Sequence, residues 1–228
     1  MFNKFTTAGI SHPAQGSAEF DPTSYDQITT SVIPMPSSGS LLFWYNLVNY
    51  SPNGDVFSTG SPSDDFRIRV NDSCGFYLGA DYRINTNGMW NTSGQWDHFA
   101  LTWDSSGSKV YFLGSQTGSN ATAPTSYSST PTTSVIGAKM DLTYYFEGNL
   151  ANVAIWNRAL SSDEINSVMW KSYDGLTPSE TSGLQAWYSL DDITSPAASL
   201  ANMEQLAADK DLSIENKAAI TAAINALS

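Results

Sequence analysis

The stretch GQWDHFALTWD, residues 94–104, places large apolar side chains at every second position. A period of two is typical of a β-strand whose two faces have different surroundings. Asp104 then opens the turn DSSGS, where its carboxylate can cap backbone amides. His98 is predicted to be a half-buried strand histidine that hydrogen-bonds a neighbour, and not a catalytic base. The strand is predicted to direct Phe99, Leu101 and Trp103 to one face, and Trp96, His98, Ala100 and Thr102 to the other.

Further runs of the same kind lie on both sides of this strand. Turn sequences such as PNGD, SSGS and FEGN separate the runs, and such regular spacing of short strands is typical of an antiparallel sandwich. We therefore predict an all-β fold. Residues 115–133 are polar without apolar periodicity, so we predict a surface excursion there. The predicted strands occupy 41–48, 55–60, 65–70, 75–84, 96–103, 109–114, 134–139, 149–157 and 184–190.

One short helix is predicted after residue 160. Ser161 and Glu164 form a candidate capping box, while Leu160 and Ile165 form a candidate hydrophobic staple. Ile165, Val168 and Met169 supply the apolar face. Gly175 is expected to end the helix.

The C-terminal residues have a different character. We predict a helical hairpin over residues 193–228, after a sandwich domain over residues 1–192. Helices of this length are unstable alone in water, so the tail must dock on the sandwich, on a second copy, or on another protein. The predicted helices begin at Ser195–Pro196 and at Ser213, with apolar positions Leu200, Met203, Leu206, Ala207, Ile220, Ile224 and Leu227.

Composition excludes several classes of partner. The 22 Asp and Glu against ten Lys and Arg give a formal net charge of -12, which repels phosphate backbones and anionic lipid surfaces. We therefore expect neither a nucleic-acid partner nor membrane insertion. Cys74 is the single cysteine and cannot form an internal disulfide. No apolar run has the length of a membrane span, and the N-terminus lacks the apolar core of a secretory signal, so we expect synthesis in the cytoplasm.

The segments GQWDHFALTWD, KVYFLG, SVIGAK and YFEGNLANVAIWNRALSSDEI together resemble the laminin-G-like branch of the concanavalin A-like lectin and glucanase superfamily. The resemblance covers about residues 17–190, with SAEFDPTSYDQITT similar to the opening strands of the family. It implies a concanavalin A-like jelly-roll sandwich. LQAWYSL, residues 184–190, resembles a strand that often opens this fold, and we expect it to pair beside the N-terminal strand. The matching residues are Trp96, His98, Asp104, Gly114, Gly137, Phe146, Gly148, Val153, Ile155, Asn157, Arg158, Ala159, Leu160, Ser161, Glu164 and Ile165.

Catalytic patterns are missing from the sequence. The glucanase branch carries its carboxylates as Glu-x-Asp-x-(x)-Glu on one strand face, whereas Glu19–Phe20–Asp21 is the sole Glu-x-Asp here and Pro22 follows it. His12 and His98 are the only histidines, and no nucleophile elbow or phosphate-binding loop accompanies them. We therefore predict that the protein is not an enzyme. A glycoside hydrolase with a different site is a remote alternative.

Aromatic residues in polar loops are candidate ligand contacts. Trp90 lies among polar residues, and its ring could support the apolar face of a sugar while Asn87 and Asn91 bond to it. The alternative is that Trp90 folds back over a sheet edge. Tyr144 and Tyr145, before FEGN, allow the same two interpretations.

Calcium is the one cofactor that the sequence allows. Oxygen ligands from several loops would have to converge, and the alternative is a set of solvated acidic loops. Two departures from the family pattern weaken a site borrowed by analogy: Leu113 stands where Asp is common, and Ala151–Asn152 replace an acidic pair. The candidate ligands are Asp64, Asp65, Asp72 and Asp141.

These features suggest a non-enzymatic surface module. The main hypothesis is a bacteriophage virion protein, such as a capsid decoration or fibre component, with adhesion to host glycans. It would be an oligomer or part of a larger assembly, joined to other virion proteins through the C-terminal helices. Release by lysis explains how an adhesive fold could reach the virion surface without a signal peptide. The alternative is an extracellular carbohydrate-binding lectin that is not attached to a virion.

Overall fold

The computed structural model describes residues 16–31, 33, 36–48, 54–61, 64–70, 75–78, 82–85, 94–121 and 133–190. Within these ranges the chain forms thirteen strands, two α-helices and one 3-10 helix. The strands make two antiparallel sheets, which confirms the predicted sandwich. None of the helices in the described ranges has the length and apolar character needed to cross a bilayer.

The strand order follows from antiparallel pairing in both sheets. The seven-stranded sheet has the order β1 (Ala18–Phe20), β12 (Gly148–Trp156), β3 (Gly39–Leu47), β8 (Trp96–Asp104), β9 (Gly107–Phe112) and β10 (Ser115–Asn120), and β13 (Leu184–Tyr188) also pairs with β12. The six-stranded sheet has the order β2 (Ile28–Thr30), β11 (Ser134–Ile136), β4 (Gly54–Ser61), β5 (Asp64–Val70), β6 (Gly75–Leu78) and β7 (Tyr82–Asn85).

The main core lies between the two sheets and follows the alternation in β8. Phe99, Leu101 and Trp103 all belong to this core, as predicted. Leu101 pairs across the strands with Leu41, and the ring of Phe99 stacks on that of Phe43 with centroids 5.1 Å apart. Burial of these side chains removes a large apolar area from water and is the main favourable contribution to folding.

A second apolar layer covers the other face of the seven-stranded sheet. Trp156 on β12 and Ala100 on β8 pack there with Leu160, Ile165 and Val168. The last two belong to helix α1 (Ser162–Val168). The predicted capping box is confirmed, because Ser161 accepts from the Glu164 amide while the Glu164 side chain accepts from the Ser161 amide.

The helix ends earlier than predicted. It stops at Val168, whose carbonyl accepts from the Lys171 amide in a tight turn, and the Met169 carbonyl accepts instead from the Trp44 indole at 2.7 Å. Gly175 therefore ends a separate 3-10 helix, Tyr173–Gly175. Helix α2 (Pro178–Thr181), with its own capping box at Thr177, was not predicted.

The prediction of a surface excursion over residues 115–133 is wrong for its first six residues. Ser115–Asn120 form β10, an edge strand with mainly exposed side chains that pairs only with β9 among the described strands. An edge strand with solvent on both sides needs no apolar alternation, so its sequence shows no strand periodicity. Residues 122–132 lie outside the described residues.

The last described strand sits where the resemblance places it. β1 pairs with Gly148–Leu150 of β12, and β13 pairs with Val153–Trp156 on the same edge. The two strands therefore lie along one edge of β12, and LQAWYSL pairs there with β12 and not with the N-terminal strand itself. The predicted hairpin over residues 193–228 lies outside the described residues.

The core assignment predicts a large effect for Leu101, which is fully buried. We expect Leu101→Ala to lower the free energy of unfolding by about 2 to 5 kcal/mol, because the surrounding side chains cannot fill the cavity. Lys109→Ala, at an exposed position on the neighbouring β9, should change it by less than about 0.5 kcal/mol. Urea denaturation measures both, and equal losses would contradict the assignment.

Candidate functional site

The two outer faces of the sandwich differ in what covers them. The outer face of the seven-stranded sheet is packed against residues 160–168, so it serves as a second core. The outer face of the six-stranded sheet carries charged side chains at its described positions on β4 and β5. Phe66, Ile68 and Val70 of β5 enter the main core, so the alternate residues Arg67 and Arg69 point outward.

An ion pair is built into this outer face. Arg69 and Asp55 lie opposite each other on β5 and β4, and Nε of Arg69 donates to Oδ1 of Asp55 at 2.6 Å while Nη2 donates to Oδ2 at 3.3 Å. Arg67 Nε lies 3.9 Å from the same carboxylate. Asp55 is fully buried and Arg69 is 8% exposed, so the pair is shielded from solvent. Two parallel bonds fix the plane of the guanidinium.

The shield is a loop, residues 138–146, which we call the tyrosine loop. The Ala138 carbonyl accepts from the Ser58 hydroxyl at 2.8 Å, and the Tyr144 carbonyl accepts from the Asp55 amide at 2.8 Å. The Phe146 amide donates to the Gly137 carbonyl at 2.8 Å and closes the loop. Its base is therefore fastened to the sheet by backbone and side-chain bonds, which restricts its motion.

Tyr144 is the central side chain of the tyrosine loop. Its ring lies over the guanidinium of Arg69, with Cζ 3.9 Å from the ring centroid, while 46% of the residue remains exposed. The backbone of Tyr144 has φ of +53°, a left-handed conformation that is unfavourable for a bulky residue. The hydrogen bonds of the loop and the cation–π contact hold it in this conformation.

Tyr145 extends the aromatic surface towards the N-terminal turn. Its ring meets that of Tyr25 edge to face, with centroids 5.4 Å apart, and Tyr25 is 68% exposed. The turn that carries Tyr25 is held by Asp21, whose carboxylate accepts from the Thr23 amide at 2.7 Å. Leu142, 46% exposed, lies in the same tyrosine loop. The result is a rim of exposed aromatic and apolar groups at one end of the six-stranded sheet.

The sequence candidates have separate outcomes. The structure places Tyr144 over Arg69 and Tyr145 against Tyr25. The sequence did not single out Arg69 or Tyr25, and the role of the two tyrosines as ligand contacts stays a prediction. The pattern FRIRV could have indicated Arg67 and Arg69, because alternation with core residues directs them outward. The position of Tyr25 depends on a contact across the fold that no local pattern contains. The remaining ligand candidates, Trp90, Asn87 and Asn91, lie outside the described residues.

The calcium candidates do not form a described site. Asp141 is bound by Lys139, with Nζ 2.6 Å from Oδ2, and by the hydroxyl of Thr143. Asp64 and Asp65 begin β5, but their side chains are outside the described part, as is all of Asp72. Across the described part of the chain, no three His, Cys, Asp or Glu side chains come together as a metal site would need.

His98 differs from its prediction as a half-buried, hydrogen-bonded histidine. It is only 2% exposed, its ring centroid lies 5.2 Å from that of Trp44, and its Nδ1 has no partner among the described residues. Burial lowers the pKa of His98 to about 3, so the imidazole is neutral at physiological pH. A histidine with this pKa is a poor general base.

Asp97 is a carboxyl group on the core side of β8. It is 8% exposed and lies opposite Tyr45. Burial raises the pKa of Asp97 to about 7, because the ionised form loses its hydration. In a glycosidase, a carboxyl with a raised pKa would act together with a second carboxyl across the substrate. Asp97 lies on the core side of its strand and not next to the tyrosine loop, so it has no part in the candidate site.

Comparison with known families agrees with this architecture. Residues 21–166 match a laminin-G-type family model described as the concanavalin A-like lectin/glucanases superfamily. The match extends over more than half of the chain, and the protein belongs to this superfamily. Among curated protein sequences, no significant match to the chain is found.

Solved structures share the fold at low sequence identity. A Bacteroides ovatus protein provisionally assigned to carbohydrate binding is 17% identical with a TM-score of 0.59, and the match covers 78% of this chain and 52% of that one. The chain thus spans about half of that protein. A heptameric SAP-like pentraxin from Limulus polyphemus is 18% identical with a TM-score of 0.53, covering 70% of this chain and 80% of the pentraxin.

A third similar structure is a small module of an enzyme. It is the CBM40 module of the Ruminococcus gnavus IT-sialidase, bound to α2,3-sialyllactose. It is 13% identical with a TM-score of 0.52, and the match covers 62% of this chain and 98% of the module. At these identities the three structures establish the shared sandwich fold.

The buried carboxyl of Asp97 predicts a pH-dependent stability. Because its folded pKa of about 7 exceeds the ordinary value of 3.8, the native state binds more protons than the unfolded chain between these values, and stability falls as pH rises. Asp97→Asn removes this dependence. The free energy of unfolding of the variant minus that of the parent should therefore be larger at pH 8 than at pH 4, by at most about 4 kcal/mol. Urea denaturation at both pH values measures the gain, and an equal difference at each would contradict the assignment.

Proposed function

We propose that the protein is a non-catalytic carbohydrate-binding module and that its ligand lies on the tyrosine loop of the six-stranded sheet. One observation carries the proposal: the half-exposed ring of Tyr144 is held over the Arg69 guanidinium, 3.9 Å from its centroid. A fixed aromatic ring offers a flat surface to the apolar C–H face of a sugar.

The fixed position of the ring favours weak ligands such as sugars. A flexible side chain would lose rotamer freedom when a ligand immobilises it, and this loss reduces affinity. Tyr144 has already lost that freedom, because its carbonyl is bonded to Asp55 and its ring is stacked on Arg69. Tyr25 and Tyr145, whose rings contact each other, supply further aromatic surface next to this loop residue in the chain.

The similar structures support this choice of ligand. The Ruminococcus gnavus module is bound to a sialyllactose, and the Bacteroides ovatus protein is provisionally assigned to carbohydrate binding. Both have the sandwich fold of this chain at low identity, so they support the class of ligand and not a particular glycan. The sequence offers no pair of glucanase-type carboxylates, which supports binding without cleavage.

The setting on a virion stays a prediction. An acidic surface suits a protein displayed at high density, and this remains its main support. The similar structures favour the lectin alternative over a capsid or fibre component, and carbohydrate binding is common to both hypotheses. The sequence predicts no cofactor and only allows calcium, and several of the candidate calcium ligands lie outside the described residues.

A glycan array with matched variants tests the proposed function. We expect the parent to bind a subset of glycans and Tyr144→Ala to weaken that binding by about tenfold or more, which corresponds to about 1.4 kcal/mol. Tyr144→Phe retains the ring and should bind nearly as the parent does. Tyr173→Ala removes a 40% exposed tyrosine from the other side of the sandwich and should leave binding unchanged.

Two results would reject the proposal. The first is a parent protein that binds no glycan on the array. The second is glycan binding that survives Tyr144→Ala, which would place the ligand elsewhere. Trp90→Ala, measured in parallel, tests the second predicted platform. Chromatography of a bound glycan after prolonged incubation shows whether any bond has been cleaved.

A further inference from the structure

A second aromatic surface lies on the opposite side of the sandwich. Trp170 and Tyr173 follow helix α1 and are 47% and 40% exposed. The ring of Trp170 contacts the buried Trp44, with centroids 5.2 Å apart, and that of Tyr173 contacts Trp187 at 6.3 Å. We call Trp170, Tyr173 and Trp187 the outer aromatic surface. Large apolar groups exposed together mark a surface that another element covers.

The backbone beneath this surface is anchored. The Trp44 indole donates to the Met169 carbonyl at 2.7 Å, immediately before Trp170. Lys171 follows Trp170 in the chain, and its Nζ lies 2.6 Å from Oε1 of the buried Glu180. Burial raises the pKa of Glu180, but hydrogen bonds from Lys171 and other donors outweigh this and lower it to about 2, so the contact remains ionic. The backbone that carries the exposed rings is therefore held in place by these contacts.

One polar atom of the outer aromatic surface lacks a partner. Nε1 of Trp187 is enclosed, yet no acceptor for it exists among the described residues. An enclosed indole N–H without an acceptor is unfavourable, and most such groups in folded proteins have a partner.

We propose that the C-terminal segment, residues 193–228, docks on the outer aromatic surface of its own subunit. The chain leaves β13 at Tyr188, directly after Trp187, and Leu190, two residues on, packs into the main core. The first predicted helix starts at Pro196, six residues beyond Leu190. So short a connection gives the segment a high effective concentration at this surface.

The lengths also agree. The apolar positions of the first predicted helix extend to Ala207, which corresponds to about 18 Å of helix. From β13, which carries Trp187, to β3, which carries Trp44 beneath Trp170, the distance is two strand spacings, or about 10 Å. One helix can therefore cover both ends of the surface. The apolar stripe of the segment gains the burial that it lacks alone in water.

Hydrogen exchange in the full-length chain tests the docking. We expect amides within residues 196–227 to be protected in the parent and to exchange about tenfold faster or more in the double variant Trp170→Ser, Tyr173→Ser. The matched control, Tyr25→Ser with Tyr144→Ser, removes two exposed tyrosines from a turn and a loop away from the outer aromatic surface and should leave these amides unchanged. Exchange within β3 and β8 reports whether each variant stays folded.

A change in the tail itself supplies the second measurement. Leu206→Asp places a charge on the predicted apolar stripe and should release the segment without altering the sandwich. We then expect the amides of residues 170–173 to exchange faster. Acrylamide should also quench the tryptophan fluorescence more strongly. Equal tail exchange in the parent and the Trp170→Ser, Tyr173→Ser variant would overturn the proposal. Tail protection that falls on dilution together with the mass from light scattering would also overturn it, since a second copy would then be the occupant.

Discussion

The structure depends on burial of the seven-stranded sheet on both of its faces. β3 carries large apolar or aromatic side chains at successive positions, so that Phe43 enters the main core while Trp44 lies on the outer face against Trp170. The neighbouring β8 is likewise buried on both faces. A sheet of this kind cannot leave one face in water. Residues 157–183 cover this outer face. They are held there by hydrogen bonds from the indole N–H groups of Trp44 and Trp156 to backbone carbonyls.

Because of this constraint, the two outer faces of the sandwich have different coverings. Helix α1 and the turns after it occupy one face, and their exposed Trp170 and Tyr173 form a surface of their own. In the six-stranded sheet, β5 directs Phe66, Ile68 and Val70 into the main core, and the outer side of β4 and β5 carries Asp55, Arg67 and Arg69. The candidate ligand surface and the proposed docking surface are therefore separated by the thickness of the sandwich.

Buried polar contacts hold the side chains of the candidate site in place. Asp55 and Arg69 would each be costly to bury alone, and two direct hydrogen bonds offset this cost. The Asp55 amide also bonds the Tyr144 carbonyl, so one residue holds both the cation under the ring and the backbone of the ring. A tyrosine in a left-handed conformation remains in place because these contacts determine it together.

Sequence alone determined the sandwich, its main strands and the start of helix α1, because alternation, turns and a capping box are local patterns. It also indicated Tyr144 and Tyr145 as candidate ligand contacts, because tyrosines in a polar loop are a local sequence feature. It missed β10, because an exposed edge strand has no apolar period, and it placed the end of α1 too late, because a distant indole takes the Met169 carbonyl. Only the tertiary structure decided that Arg69 lies under Tyr144, that Tyr25 meets Tyr145, and that His98 is sealed beside Trp44. Each of these contacts joins residues far apart in the chain, and their meeting depends on strand register and on how loops cross the sheets, which no local pattern records.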